Sequence, residues 1–282
     1  NSYRVLVDGR SVPVLVRRSE AKRITGGDPF DLPGFGVATL SYENAEGRVW
    51  EVRAMKDMKT LKDHKLVRCR WVLCNKGDAA CPDVRARLVD CGVNSGAKED
   101  AFYASTPPLE AKKMLFAKYA NMPTKGGVPM RLGFVDIRKA NFNAIPKRNI
   151  FMTLPKELGL PGHWVAKQVR CVYGTRDAGA LWEDTYRAAL ESIGFSSGIA
   201  SPCIFHHDAR DISCVVHGDD FTSLGSDESL DWMEKQLASH FELKIRGRLG
   251  VGHGEPAPFW RSRGVTVSFR LASCGYDPLH VR

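Results

Sequence analysis

No apolar run among the 282 residues approaches the ~18 that a membrane-spanning helix needs. No charged-then-apolar leader follows Asn1 either, so neither a membrane-spanning nor a secreted protein is expected. There is no CxxC, and the spacings of Cys69, Cys74, Cys81 and Cys91 match no zinc module. No glycine cluster is followed by Lys-Ser/Thr. Gly26-Gly27, Gly126-Gly127 and the Gly250–Gly254 stretch therefore read as turns, not phosphate loops. No Asp-Ser/Thr-Gly occurs, and no spacing marks a Ser/His/Asp or Cys/His nucleophile. Repeats and low-complexity tracts are absent. The chain begins at Asn1 rather than Met, which is compatible with a fragment.

What is present is ordinary for a globular protein: 43% hydrophobic and 26% charged residues. The length suits one large domain or two small ones, and a core that removes roughly 70–75% of the unfolded surface from water. Eight cysteines in a large chain without a leader read as reduced, intracellular thiols, several of them buried as small hydrophobes. The net charge of +9 is unevenly spread. Residues 131–176 carry nine Lys+Arg against two Asp+Glu, and residues 177–282 carry ten against fifteen. A basic middle and an acidic last third suggest a polyanionic partner and, separately, a carboxylate site.

Along the chain, Val5–Val7 and Val12–Val16 flank a turn at Asp8-Gly9. The first 62 residues (1–62) read as an appendage or linker, residues 63–250 as the main body and 251–282 as a divergent tail. Leu66–Cys74 and Val84–Val89 read as strands. A helix is expected from Pro107-Pro108 to about Tyr119, capped by Thr106. Trp182, Tyr186, Leu190 and Ile193 recur at helical spacing over 177–193 and stop at Gly194. This stripe reads as core packing. Strands are expected at Arg131–Ile137, Ile212–His217 and Phe221–Leu224. A last helix is capped by Ser226, with Leu230, Met233, Leu237 and Phe241 on one face. Strands and helices mix without βαβ alternation, so the fold class is α+β. His206 and His207 are adjacent in a strand and face opposite ways, so joint metal ligation is not expected.

His217-Gly218-Asp219-Asp220-Phe221 is the most informative stretch. Two apolar strands joined by Gly-X predict a type II′ hairpin that carries two carboxylates at its tip. Asp136 ends an otherwise apolar strand, where a carboxylate must be solvated, paired or metal-bound. If Asp136 meets Asp219 and Asp220, divalent cations relieve the repulsion, and Mg²⁺ (or Mn²⁺) suits such oxygen donors.

Several stretches, in order, resemble the reverse transcriptase of copia-type retrotransposons. Trp71-Val72-Leu73 with Arg85-Ala86-Arg87-Leu88-Val89 is similar to the fingers motif RWV…KARLV. Phe102–Pro107 resembles the segment that follows it. Asp136-Ile137-Arg138-Lys139-Ala140 with Phe142-Asn143 resembles DVKTAFLN, and Phe151-Met152 with Leu154-Pro155 resembles YMxxP. Tyr173–Ala178 with Leu181-Trp182 resembles YGLKQAxxxW. Asp219-Asp220 falls at YVDD, and His240–Lys244 resembles the stretch after the next helix. The match spans about residues 66–250.

The resemblance implies a right-hand polymerase with fingers, an antiparallel palm sheet and a truncated thumb. It implies two-metal nucleotidyl transfer from deoxynucleoside triphosphates onto a DNA primer 3′ end, copied from an RNA template. Asp136, Asp219 and Asp220 become the catalytic and metal-binding residues. Arg85 and Arg87 become triphosphate ligands, with Asn141, Phe142 and Asp177 around the nucleotide. Arg138, Lys139, Lys147, Arg148 and Arg176 become contacts to the nucleic-acid backbone.

Five departures accompany the match. Asn141 stands where the family has an aromatic residue that excludes the ribose 2′ hydroxyl. His217 replaces the Tyr of YVDD, and Asp177 replaces Gln. The pattern ends after Leu249, and 251–282 leave no room for a full thumb. Two alternatives stand beside this reading: a polymerase fold that binds nucleic acid without catalysis, and a basic structural or interaction protein.

Overall fold

A computed structural model describes residues 2–7, 10–15, 37–40, 43–44, 47–75, 84–92, 104–155, 162–250, 261–262 and 265–266. The chain forms two compact units, Asn1–Thr106 with Lys139–Ser192, and Pro107–Arg138 with Ile193–Arg282. The fold mixes helices with largely antiparallel sheets, as the absence of βαβ alternation predicts.

In the first unit β1 (Ser2–Val7), β2 (Arg10–Leu15) and β3 (Val37–Leu40) form a sheet in the order β2-β1-β3. β1 and β2 are the hairpin expected around Asp8-Gly9. After β4 (Glu43–Asn44) and β5 (Gly47–Arg48) come β6 (Trp50–Ala54), α1 (Met55–Lys59), β7 (His64–Val67), β8 (Cys69–Asn75) and β9 (Val84–Asp90). The single strand expected over Leu66–Cys74 is broken at Arg68. β7 joins a sheet in the order β6-β13-β12-β7 with β12 (Asn149–Thr153) and β13 (Trp164–Gln168), whereas β8 pairs with β9. The break has partners distant in sequence: the Cys69 N–H donates to Thr153 Oγ1 at 3.2 Å and the Arg68 carbonyl accepts from Cys91 N–H at 2.8 Å. α3 (Ala178–Ser192) buries Trp182, Tyr186 and Leu190 of the stripe read as core, together with Leu181, whereas Ile193 lies just past the helix and is half-buried. Gly194, at φ +95°, follows its end.

Asp90 closes β9 and is buried. Its carboxylate accepts from Gly92 N–H at 2.6 Å and from Gln168 Nε2 at 2.9 Å. Burial nevertheless dominates, and holds the carboxyl above its usual range against those hydrogen bonds and the charge of Lys65. A carboxyl whose folded-state value is raised contributes stability below its unfolded value. That contribution is lost as pH rises through the folded one. Asp90→Asn is therefore expected to melt at a higher temperature than the parent chain at pH 7 and to lose that advantage at pH 4. Thermal melts at the two pH values check this, and an equal difference at both would contradict it.

The second unit is built on β10 (Thr124–Lys125), β11 (Val128–Ile137), β14 (Ser196–Ser197), β15 (Ile204–His207), β16 (Ile212–His217), β17 (Asp220–Ser226) and β18 (Leu243–Leu249). Its sheet is antiparallel, in the order β10-β11-β17-β16-β15-β14, and β18 pairs with β11. β11 thus has strands on both edges, and its residues from Met130 onward are mostly buried. α2 (Leu109–Asn121) sets Ala111 and Leu115 against Met130, Leu132, Val215 and Leu224. Its first residue is preceded by Pro108 in extended conformation, ψ 146°, so Pro108 and not Thr106 occupies the cap. The Pro-Pro pair explains the correction, because a residue before proline is held out of the helical region. α4 (Asp227–Ala238) is capped as expected: Ser226 Oγ accepts from Ser229 N–H at 3.2 Å. Leu230, Met233 and Leu237 are buried beneath it, each worth ~1.5–3 kcal/mol relative to exposure. β19 (Arg261–Ser262) and β20 (Val265–Thr266) pair with each other.

Cys171, Cys203 and Cys214 are buried, as read for small hydrophobes. Burial pushes the Cys171 and Cys214 thiols up to about 12, so both stay protonated and inert. Cys81, like Gly26-Gly27 and Phe102-Tyr103, lies outside the described residues. No helix among the described residues is long and apolar enough to cross a membrane.

Candidate active site

The strand pattern of β16 and β17 leaves only Gly218-Asp219 to turn the chain, and His217 pairs with Asp220 across the turn. Gly218 sits at φ +65° while Asp219 keeps a negative φ, the pattern of the expected II′ turn. β11 runs beside β17 in a register that places Asp136 opposite Asp220. The N–H of Ile137 donates to the Asp219 carbonyl at 2.8 Å, tying the strand end to the hairpin tip. Asp136, Asp219 and Asp220 therefore gather at one end of one sheet, although 82 and more residues separate the first from the pair.

Like charges directly opposite each other on a sheet repel, and Asp220 shows the consequence. Its carboxyl is held above the usual range, first by burial and then by the charges of Asp219 and Asp136. Two cations work against this, Lys112 and Arg246. Neither was singled out from the sequence. Lys112 on α2 is 6% exposed, and its Nζ lies 3.3 Å from His217 Nδ1. Burial pulls its ammonium below the usual range, and Asp220 opposes that pull. Its sequence signal was faint: a lysine beside Ala111 on the helix face that also holds Leu115. Arg246 on β18 makes an ion pair with Asp136. Its signal was the adjacent Gly247, because an isolated glycine in a strand marks a bulge.

The other expected site residues are placed as follows. In the second unit, Arg138 pairs with Glu242 at 2.7 Å. The remainder lie in the first unit. Residues 140–143 form a 3₁₀ turn rather than an extended segment, entered through Lys139 at φ +52°. Asn141 is half-buried there, and Phe142 is buried with its ring centroid 5.3 Å from that of Tyr173. Asp177 is buried and ion-paired with Arg148 at 3.0 Å. Lys147 pairs with Asp184, also at 3.0 Å, with both side chains exposed. Arg176 is half-buried. Arg87 is exposed, its guanidinium 5.0 Å from the Tyr173 ring centre. Arg85 lies in β9, opposite Cys74 in register, and its side chain is outside the described residues. His206 and His207 part as expected: His207 is packed between the rings of Phe195 and Trp232, while His206 is more exposed and faces Asp208.

Three carboxylates gathered at one sheet end offer hard oxygen donors, which suit Mg²⁺ or Mn²⁺ by chemistry. Among the described residues no three His, Cys, Asp or Glu side chains are arranged to hold a metal ion as they stand. The cation that Asp136 holds is the Arg246 guanidinium.

A family model described as reverse transcriptase (RNA-dependent DNA polymerase) matches residues 50–252. The chain belongs to this copia-type reverse transcriptase family. The family match begins at β6, earlier than residue 66, where the motif resemblance starts. Among solved structures, the chain is similar to a telomerase from Candida albicans in complex with the TWJ fragment of telomeric RNA, with 9% identity, 77% of this chain and 46% of that chain covered, and a TM-score of 0.44. It is also similar to an apo telomerase from Candida tropicalis truncated of its C-terminal domain, with 7% identity, 77% and 55% covered, and a TM-score of 0.41. The chain spans about half the length of these structures.

Proposed function

We propose that this reverse transcriptase domain is an RNA-directed DNA polymerase core, which adds deoxynucleotides to a primer 3′ end on an RNA template. The observation that carries the reading is the register of Asp136 against Asp220 beside the Gly218-Asp219 turn. In this reading residues 63–250 are fingers and palm, the sheet of the second unit is the palm, and 251–282 begin an incomplete thumb. Residues 1–62 are an appendage.

Asp136, Asp219 and Asp220 would hold the divalent ions, which when bound supply a Lewis acid to the primer hydroxyl and to the phosphates. The chain's own residues position and neutralise. The turn presents Asp219, and β11 presents Asp136 from a rigid central strand. Lys112 supplies buried positive charge beside Asp220. Arg85 and Arg87 are assigned to the incoming triphosphate, because guanidinium offers paired donors to phosphate. Arg138, Lys139, Lys147, Arg148 and Arg176 are assigned to the nucleic-acid backbone, whose binding weakens with salt.

Extension of an oligo(dT) primer on poly(rA), with dTTP and Mg²⁺ or Mn²⁺, tests the reading. Metal-dependent extension is expected. Folded protein that binds the hybrid in a salt-dependent way and never extends it would instead be a nucleic-acid-binding polymerase fold without catalysis.

Asn141 carries a further expectation. With an amide in place of a ring, sugar selection is loose. Asn141→Phe is expected to raise the preference for dTTP over UTP by ~10–100-fold, the range open to steric discrimination of a hydroxyl. Single-nucleotide incorporation rates measure it, and an unchanged ratio would remove Asn141 from the sugar pocket.

A further inference from the structure

β18 is not a regular partner of β11. Its register runs Asp136↔Lys244 and Val135↔Ile245, then jumps to Phe134↔Gly247. Arg246 is the extra residue of the bulge, and Gly247 takes φ +118°, a conformation that favours glycine. Lys244 lies directly opposite Asp136, yet the guanidinium on Asp136 comes from Arg246, two residues along on the same face. A long side chain spans that diagonal. Bulges of this kind re-aim side chains beside functional sites. Arg246 is about half exposed, with 48% of its side chain accessible, whereas Asp136 is 17% accessible. The arginine can swing into solvent without opening the core, and the aspartate stays in place.

We propose that Arg246 is a resident counter-cation of the carboxylate cluster, which a divalent ion must displace from Asp136 in order to bind there. The proposal rests on the reading of Asp136, Asp219 and Asp220 as the metal-binding carboxylates. With the guanidinium on Asp136, the cluster is partly neutralised, so the free protein holds metal weakly. Metal uptake and release of Arg246 become one linked event.

The test is a Mn²⁺ titration of the full chain, followed by loss of the free-ion electron paramagnetic resonance signal. Removing one partly exposed positive charge beside a divalent site is expected to tighten binding by about three- to tenfold. Arg246→Gln should show that gain, and Arg246→Lys should fall between it and the parent chain. The gain should vanish when Arg246→Gln is combined with Asp136→Asn. Equal affinity of Arg246→Gln and the parent chain, with Asp219→Ala weaker than both, would overturn the role of Arg246 and leave the metal-site reading intact. A gain that persists beside Asp136→Asn would also overturn it, because the effect would then not pass through the ion pair. Absence of Mn²⁺ uptake by every variant would remove both the proposal and the metal-site reading.

Discussion

Asp219→Ala is expected to lower primer extension by about 10³-fold or more, the consequence of losing ~4 kcal/mol of transition-state stabilisation. The size follows from position. Asp219 is exposed at the hairpin tip, beside a carboxyl already crowded by like charge. Such an arrangement costs the fold stability and gains nothing unless a cation or a substrate uses it. The substitution leaves the scaffold in place. Asp219 keeps a negative φ, which alanine adopts, and its link to β11 runs through its backbone carbonyl. The melting temperature should therefore stay within the scatter of a surface change, while the rate collapses. A variant that melts normally and extends at a tenth of the parent rate or better would show that the chemistry lies elsewhere.

Gly174→Ala is the second large effect, and it acts on the fold. Gly174 sits at φ +88°, and a Cβ there would lie 2.0 Å from the carbonyl oxygen of Asp90. The neighbouring Tyr173 carbonyl accepts from Asp90 N–H at 2.7 Å, so the two backbone segments are locked at this separation. The clash is with backbone and cannot be relieved by a rotamer. Left-handed strain of ~1–2 kcal/mol and overpacking of ~1–3 kcal/mol together give about 2–5 kcal/mol. That is a large share of the ~5–15 kcal/mol typical of a domain. Urea denaturation should show a lower midpoint with an unchanged slope. A loss below about 0.5 kcal/mol, the range of ordinary surface substitutions, would mean that the approach of Gly174 to Asp90 is not maintained in solution. In the sequence this glycine was only one letter of a motif. The approach of Asp90, 84 residues earlier in the chain, supplies the reason for it.

The basic middle of the chain shows the limit of reading charge along a sequence. Residues 131–176 carry an excess of seven positive charges. Four of their cations nonetheless have partners in the acidic last third: Arg131 with Asp227, Arg138 with Glu242, Lys147 with Asp184 and Arg148 with Asp177. Much of the asymmetry is thus answered within the protein. Arg138, Lys147 and Arg148 must each leave a carboxylate partner to reach a phosphate, so the salt dependence of nucleic-acid binding is expected to be smaller than the sequence total implies.

The sequence alone determined the features whose causes lie within a few residues. The Gly218-Asp219 turn needs a glycine at its first position, and the two strands flank it directly. The Ser226 cap acts on an N–H three residues away. The stripe of α3 is a periodicity of one helix, and Gly194 ends it. The order of the motifs was enough to point to the family. Only the tertiary structure decided what those features meet. The pairing of Asp136 with Asp220 depends on strand order and register, to which a one-residue slip would be fatal and of which neither strand alone carries a record. The break at Arg68, the burial of Lys112 and the ion pair from a bulge 110 residues beyond Asp136 likewise arise from long-range partners. Helix caps and turn dihedrals are local and can be read from short stretches. The fields and contacts that tune the carboxylates come from elements brought together only by folding.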